Sequence, residues 1–467
     1  MSDYHCAPKP PAGETHTVQE AVQELHRLFL HVEAMDMKNQ EALIMAYSEK
    51  LNEVGVPVDR FYRGATVTHP LIRVLTMKWE KPDIVSSKPY TRQGNMDTRE
   101  LIENGYLVGD EPMVQMAMGK PFVRINVNDP NLPKDCQWMK DDGYVELYGL
   151  PSISQKKQVD GKMEGGFTWT TKRPEGFSDD HLAILKGHLL DLCTVARYHV
   201  KDYTMQTLLK IYLGDDAGRR VHHGQIERGD GLIIRSVVWF SDIRGFTKMS
   251  GELSRGEVME VINGVFEVTE RVTRKYGGQI LKFMGDGIMV FFSDNTTSFQ
   301  RDSFTAGEKK QLDDAHGAKL CHNARHAAEE FQRELCRLKI EREAQGLRGA
   351  SVGVGLHYGD VSYGNVGGLE RLDFTVIGPT VNLASRIESK CSSLSAQVLA
   401  SSDFVLLDRA PQLWNTRGKH ELKGVKEPME LYELQSMCGE GMAGADISSL
   451  SLFRSPGAAE SSTSLNP

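Results

Sequence analysis

The chain has 467 residues, of which 40% are hydrophobic and 25% charged; that is room for two or three domains with real cores. A formal net charge of −8 excludes a whole-chain basic footprint, so nucleic acid is not an expected partner. No apolar run approaches the roughly 20 residues of a membrane span, so no membrane association is expected.

Residues 1–16 are rich in proline and polar groups and are expected to be disordered. The opening MSDYHCAPKPPAGETHT lacks the basic start and apolar core of a signal peptide. The seven cysteines include no C-x-x-C pair, which argues for free thiols in a reducing compartment, and a cytoplasmic location is expected. From Thr17 to about Glu53, apolar residues recur at helical spacing (Val18, Val22, Leu25, Leu28, Phe29, Val32), predicting an amphipathic helix. Residues 54–176 mix strand-like pieces (IRVLTMKWE, YVELYGLP, GGFTWTT) with turns marked by Gly and Pro. FSDDHLAILKGHLLDLC then opens a helix, with Ser178 as N-cap and Asp179 and Asp180 in the first turn. Its stripe Leu182, Leu185, Leu189, Leu192 runs on to about Leu213. Such a stripe serves a core, or pairs with the same helix of a second subunit.

A glycine-rich linker, residues 201–231, follows the first domain of residues 17–200, and His222 and His223 read as hinge or solvent groups there. From Leu232 the character changes. IIRSVVWF predicts a buried strand, GEVMEVINGVFEVTERVTRKYG a helix and ILKFMGDGIMVFF a hairpin. Residues 293–314 read as a surface loop and AKLCHNARHAAEEFQRELCRLKIEREAQG as a second helix. ASVGVGLHYGDVSYGNVG reads as a glycine-punctuated strand pair, TVNLASRIESKC as a third helix and MELYELQ as the final strand. Alternating strands and helices over residues 232–435 predict an α/β or α+β domain. Residues 439–467, rich in Ser, Gly and Ala, are expected to be disordered. His322 and His326 stand at the spacing of a metal pair without a third ligand, so they read as solvent-facing.

In FSDIRGFTKMS an apolar strand ends in Asp242, and Gly245-Phe246-Thr247 leads straight into a helix. Backbone N–H groups at such a turn cradle phosphates. A carboxylate at the strand end suits a hard cation bridging those phosphates. Asp286 ends another strand in the same way, within LKFMGDGIMVFF. Two aspartates holding two Mg²⁺ ions would fit phosphoryl transfer. Singly, Asp242 is also readable as a helix N-cap and Asp286 as a turn residue.

FSDIRGFT, LKFMGDG, VGVGLHYGDVSYGNVG and DFTVIGPTVNLASRIES together resemble the class III nucleotidyl cyclase family over roughly residues 232–435. The resemblance implies an α+β catalytic domain with a ferredoxin-like β-α-β-β-α-β arrangement and additions. It implies that Asp242 and Asp286 hold two Mg²⁺ or Mn²⁺ ions, with the backbone carbonyl of Ile243 assisting. Asn382 and Arg386 match the pair that orients the ribose and stabilises the α-phosphate; four residues apart, they share a helical face. Lys423 lies where the family places a lysine on the terminal phosphates, with Lys426 close enough to compete and Arg371 a weaker candidate. The family's active sites lie at a head-to-tail dimer interface, so one chain holding every residue implies a homodimer. In the N-terminal half, the order of helix, mixed strands and F-S-D-D-H-L-x-x-L opening a long helix resembles a GAF-like sensory domain. That implies a small-molecule ligand or a dimerisation role; a dimerisation module without ligand stays open.

Adenine presents an acceptor at N1 and guanine a donor there, so Lys282, a pure donor, suits adenine. Guanylyl cyclases of the family carry Glu in its place. The second base reader aligned on the T-V-N anchor is Thr375, whose hydroxyl both donates and accepts. Asp373, two positions earlier on the same side of a strand, is the alternative if the register slips. The expected activity is a soluble adenylate cyclase making 3′,5′-cyclic AMP and pyrophosphate from ATP. The alternatives are a guanylate cyclase, or an inactive relative serving as a regulatory partner.

Overall fold

The computed structural model describes residues 17–30, 40–67, 70, 72–82, 84–91, 111–152, 165–229, 231–293 and 306–435. The proposed disordered ends, residues 1–16 and 439–467, lie outside the described residues. The chain divides into two compact units, Met1–Leu208 and Leu209–Pro467.

In the first unit, α1 (Val18–Leu30) and α2 (Gln40–Glu53) stand where the apolar spacing predicts one helix. After them come β1 (Arg60–Thr66), β2 (Ile72–Glu80), β3 (Ile84–Thr91), α3 (Pro112–Ala117), β4 (Val123–Asn126), α4 (Trp138–Asp141), β5 (Glu146–Pro151) and β6 (Gly165–Thr171). The six strands form one antiparallel sheet in the order β3-β2-β1-β6-β5-β4. Ser178 caps α5 (Asp179–Gly187) as expected, its hydroxyl accepting from the His181 amide. The expected single helix breaks at His188, and α6 (Leu189–Leu213) begins after it. The break has a local cause. His188 is fully buried, its Nδ1 donates to the Ile184 carbonyl at 2.6 Å and its Nε2 accepts from Tyr47 at 2.7 Å. Burial pushes this imidazole down to about 4, which keeps it neutral. The Trp169 indole completes the chain by donating to the Tyr47 oxygen at 3.1 Å.

Within the segment read as a linker stands a helix, α7 (Asp215–His222), with buried residues Asp216, Ala217 and Gly218. The second unit's other elements are β7 (Gly231–Ile243), α8 (Phe246–Glu252), α9 (Arg255–Lys275), β8 (Gly278–Met284), β9 (Gly287–Phe292) and α10 (Ala306–Ala344). They continue with β10 (Val352–Gly367), β11 (Leu372–Ile377), α11 (Pro379–Ser393), β12 (Val398–Ser401), α12 (Ser402–Asp408), β13 (Trp414–His420) and β14 (Met429–Leu434). The helix α10 takes up part of the segment read as a surface loop; residues 294–305 lie outside the described residues. The glycine-rich stretch read as a strand pair is a single strand, β10, paired with β7 from Val352 to Gly364. Glycine spacing misled there because the glycines serve close packing rather than a turn.

The sheet order is β13-β14-β12-β10-β7-β9-β8, with β11 paired to the far end of β10. A β-α-β-β-α-β run, β7-α9-β8-β9-α10-β10, supplies its centre. Strand β7 is buried on both faces from Ser236 to Trp239, which explains its unbroken apolar run. One face packs Val237, Trp239, Val290 and Val354 against α9 and α10. The other packs Val238, Phe291 and Tyr363 against Ala384 of α11 and Ala217 of α7. A capping box of Ser254 and Glu257 starts α9. Behind the sheet, Arg325 ties α10 to α12: it donates to Asp408 at 3.0 Å and to Glu329 at 2.5 Å, and Asp408 also accepts from the Trp414 indole at 2.9 Å.

Candidate active site

The structure brings Asp242 and Asp286 together. Asp242 lies at the end of β7, opposite Gly287 of β9, and Asp286 occupies the β8–β9 turn beside it. Gly287 carries no side chain where Asp242 Oδ1 sits; a Cβ there would lie 3.2 Å from it. The two carboxyls are close enough to share a hydrogen bond, and burial followed by the charge of Asp286 pushes Asp242 up to about 6. Two carboxylates in this state want a cation. Among the described residues no cluster of three or more His, Cys, Asp or Glu side chains could hold a metal. The donor set is therefore two carboxylates, with backbone, water or phosphate oxygens to complete a shell. That suits Mg²⁺ or Mn²⁺ and is unlike a zinc site.

Two further residues near the pair carried no assignment from the sequence. Arg244 lies flat across Gly353, the glycine opposite Asp242 in the ladder, and donates to the Ala396 carbonyl at 2.8 Å. Glu388 of α11 is pushed up to about 7, first by burial and then by repulsion from Asp242, with Arg244 opposing. Both stand inside quoted motifs, FSDIRGFT and NLASRIES, but only the fold places them beside Asp242.

Gly245 adopts a left-handed backbone, φ 67°, which glycine tolerates best, and α8 starts at Phe246. Phe246 turns inward against the core beneath α9, while Gly245 and Thr247 are exposed. The start of α8 thus lies just after Asp242 and Ile243.

Lys282 forms an ion pair with Asp373 of β11. The pairing of β8 with β9 shifts register between Ile280 and Lys282, and this bulge frees the lysine from the ladder's regular alternation. Thr375 lies two residues beyond Asp373 and is 9% exposed. Asn382 is exposed on α11 and Arg386 is half-buried one turn later. Lys423 and Lys426 are both exposed in the connection between β13 and β14. The sheet order sets β14 three strands from β7, roughly 14 Å at ordinary strand spacing. Arg371 is exposed just before β11. His322 and His326 are no metal pair: the Arg325 guanidinium lies within 3.3 Å and 3.1 Å of them, and a fixed cation there repels another.

Residues 235–436 match the family model described as the adenylate and guanylate cyclase catalytic domain. This domain belongs to the class III adenylate/guanylate cyclase superfamily. An adenylate cyclase of Anabaena cylindrica is 32% identical over 218 residues, which is 45% of this chain and 39% of that protein. Adenylate cyclase 1 of Rhizobium meliloti is 27% identical over 195 residues, 42% of this chain and 26% of that protein. The chain thus spans well under half the length of these curated relatives. Among solved structures, the adenylyl cyclase CyaB from P. aeruginosa is 28% identical and covers 45% of this chain and 100% of its own, with a TM-score of 0.37. No described helix is long and apolar enough to cross a membrane.

Proposed function

We propose that the chain is an adenylate cyclase that converts ATP into 3′,5′-cyclic AMP and pyrophosphate. The observation that carries the reading is the contact between Asp242 and Asp286 at adjacent strand ends, where burial and the neighbouring Asp286 charge raise the proton affinity of Asp242 and would favour a cation. Mg²⁺ or Mn²⁺ bound by Asp242, Asp286 and the Ile243 carbonyl would activate the ribose 3′-oxygen and offset charge on the leaving group. In that reaction the 3′-oxygen bonds to the α-phosphorus, the bond to the bridging oxygen of the β-phosphate breaks, and the 3′-hydroxyl proton is released. Asn382 holds the ribose, Arg386 stabilises the charge gathering on the α-phosphate, and Lys423 neutralises the terminal phosphates. The amides opening α8 at Gly245, Phe246 and Thr247 cradle the same phosphates.

ATP is the preferred substrate because Lys282 offers only donors to the base. Its ion pair with Asp373 holds that charge at the end of β8 and favours Asp373 as its companion in reading the base, with Thr375 deeper behind. Guanylate cyclase is the alternative, and Lys282 opposes it.

The site is built between two copies of the chain. Glu388 faces the Asp242 of its own chain, whereas Arg386 stands two residues earlier, about 200° round the helix. The edge of β8 carries exposed Phe283 and Met284, and β11 carries exposed Leu372 and Ile377. Apolar groups of this kind belong at a homodimer interface in a ferredoxin-like domain pair. The N-terminal unit is read as a GAF-like sensory or dimerisation domain whose ligand would be a small molecule.

The test is the purified chain of 467 residues with Mn²⁺ and either ATP or GTP. Cyclic AMP should dominate; failure to form either cyclic nucleotide refutes the catalytic reading, and a preference for GTP refutes the role of Lys282. Asp286→Ala should abolish turnover and leave a folded dimer.

A further inference from the structure

Helix α7, eight residues long, carries one feature that a mere connection does not need. Its Asp216 is 2% exposed and fully partnered, accepting from Arg219 and Arg220 at 2.6 Å each and from the Tyr363 hydroxyl at 3.0 Å. A carboxylate is costly to bury, and this one is tolerated because three donors surround it. The neighbouring backbone is shaped to the same contact. Gly214, at φ 89°, brings the start of α7 against the Ile280 carbonyl of β8, where a Cβ would lie 3.3 Å away. After α7, the Asn365 side chain of β10 donates to the Gln225 carbonyl at 2.9 Å, and Gly229 donates to the Asn365 carbonyl at 3.1 Å.

What α7 rests on is specific. Ala217, Leu213 and Val221 join a small core with Leu281, Tyr363, Phe374, Val376, Val381 and Ala384. Leu281 precedes Lys282. Phe374 lies between Asp373 and Thr375, which strand alternation turns the other way. Val381 precedes Asn382, and Ala384 stands half a turn before Arg386. Tyr363, which Asp216 holds, packs edge-on against Phe374 at 4.9 Å. The same core also takes in Val238 and Phe240 of β7 and Met289 and Phe291 of β9, while Asp242 and Asp286 lie beyond it at the strand ends.

We propose that α7 sets the affinity for nucleotide, with Asp216 and Tyr363 as positioning residues that hold from behind the base-, ribose- and phosphate-binding residues Lys282, Asp373, Thr375, Asn382 and Arg386. The inference rests on the reading that those residues bind the nucleotide. The loss is expected at the nucleotide-binding residues that adjoin this core rather than at the aspartates beyond it.

Asp216→Asn and Tyr363→Phe, made separately in the full chain, test this. The second deletes one hydroxyl and keeps the ring that fills the core. Binding is read with 3′-deoxy-ATP, which lacks the attacking oxygen and is not turned over, in the presence of Mn²⁺. Metal binding is read apart from it, as the Mn²⁺ concentration that half-maximally raises the thermal midpoint. The dissociation constant for 3′-deoxy-ATP should rise by about threefold to tenfold in each variant, the size of one lost hydrogen bond. The Mn²⁺ midpoint should stay within about twofold, because neither substitution alters Asp242, Asp286 or the ladder that pairs them. Unchanged nucleotide affinity in both variants overturns the proposal, as does a shift of the Mn²⁺ midpoint by the same factor. A wild-type chain that binds neither 3′-deoxy-ATP nor 3′-deoxy-GTP overturns it together with the reading beneath it.

Discussion

Replacing Gly355 by alanine should disable the site without touching a single candidate catalytic group. Gly355 is buried in β10 directly beneath α11. A Cβ there would lie 2.3 Å from the Glu388 amide nitrogen and 2.7 Å from the Ala384 carbonyl oxygen, both backbone atoms of the helix. Ordinary contact begins at 3.4 Å, so α11 has to retreat by about 1.1 Å. No side chain can swing aside to absorb it, because both sides of the clash are backbone in regular structure. Overpacking of this kind costs about 1–3 kcal/mol, or several degrees of thermal midpoint at about 2–4 °C per kcal/mol for a unit this size. The larger effect is on geometry. Asn382 and Arg386 ride on α11, and a displacement near 1 Å at a reacting centre lowers the rate by about a hundredfold. Initial rates with Mn²⁺-ATP and a thermal melt of the same preparation would measure both. Gly256→Ala in α9 is the control, since a Cβ there meets nothing within 4 Å and helical alanine is favoured over glycine. Wild-type turnover in Gly355→Ala would refute the argument that α11 rests on bare backbone.

Asp242 holds its proton up to about 6 in the folded chain, well above the ordinary carboxylate value near 3.9. Between about pH 4 and 6 the folded state therefore binds the extra proton, and the metal-free chain should lose stability as pH rises through that window. Mn²⁺ should raise the thermal midpoint more at pH 7 than at pH 5, where protons compete for the same oxygens, and Asp286→Asn should remove that difference; an equal gain at both pH values in the wild type contradicts the acidic-pair assignment. Arg325→Met should destabilise the second unit by about 3–5 kcal/mol, because the Asp408 side chain is fully buried and loses its charged partner; a urea melt unchanged in midpoint would exclude this. Lys282→Glu reverses the donor presented to the base and breaks the pair with Asp373, so the ratio of ATP to GTP turnover should fall by about tenfold to hundredfold; a constant ratio would remove Lys282 from base recognition.

The second unit's family likeness and much of its element order were legible in the residues alone. Strand β7, helix α9 and the β8–β9 hairpin were legible because burial imposes periodicity on apolar residues, and Asp242 and Asp286 stood out as charges at the ends of apolar strands. The Ser178 cap was legible for the same local reason: hydroxyl, amide and helix start all lie within four residues. The rest depends on partners far apart in the chain. The bulge before Lys282 and its pairing with Asp373, 91 residues away, leave no local trace, because a register shift changes no residue type. Helix α7 looked like linker because Arg219 and Arg220 beside Asp216 read as ordinary surface charges, and what buries the carboxylate includes Tyr363, 147 residues on. The glycines of β10 read as turns until α11 and Arg244 were seen lying against them. A glycine kept for close approach and a glycine kept for a turn are the same letter, and only the atom that would meet its missing Cβ tells them apart.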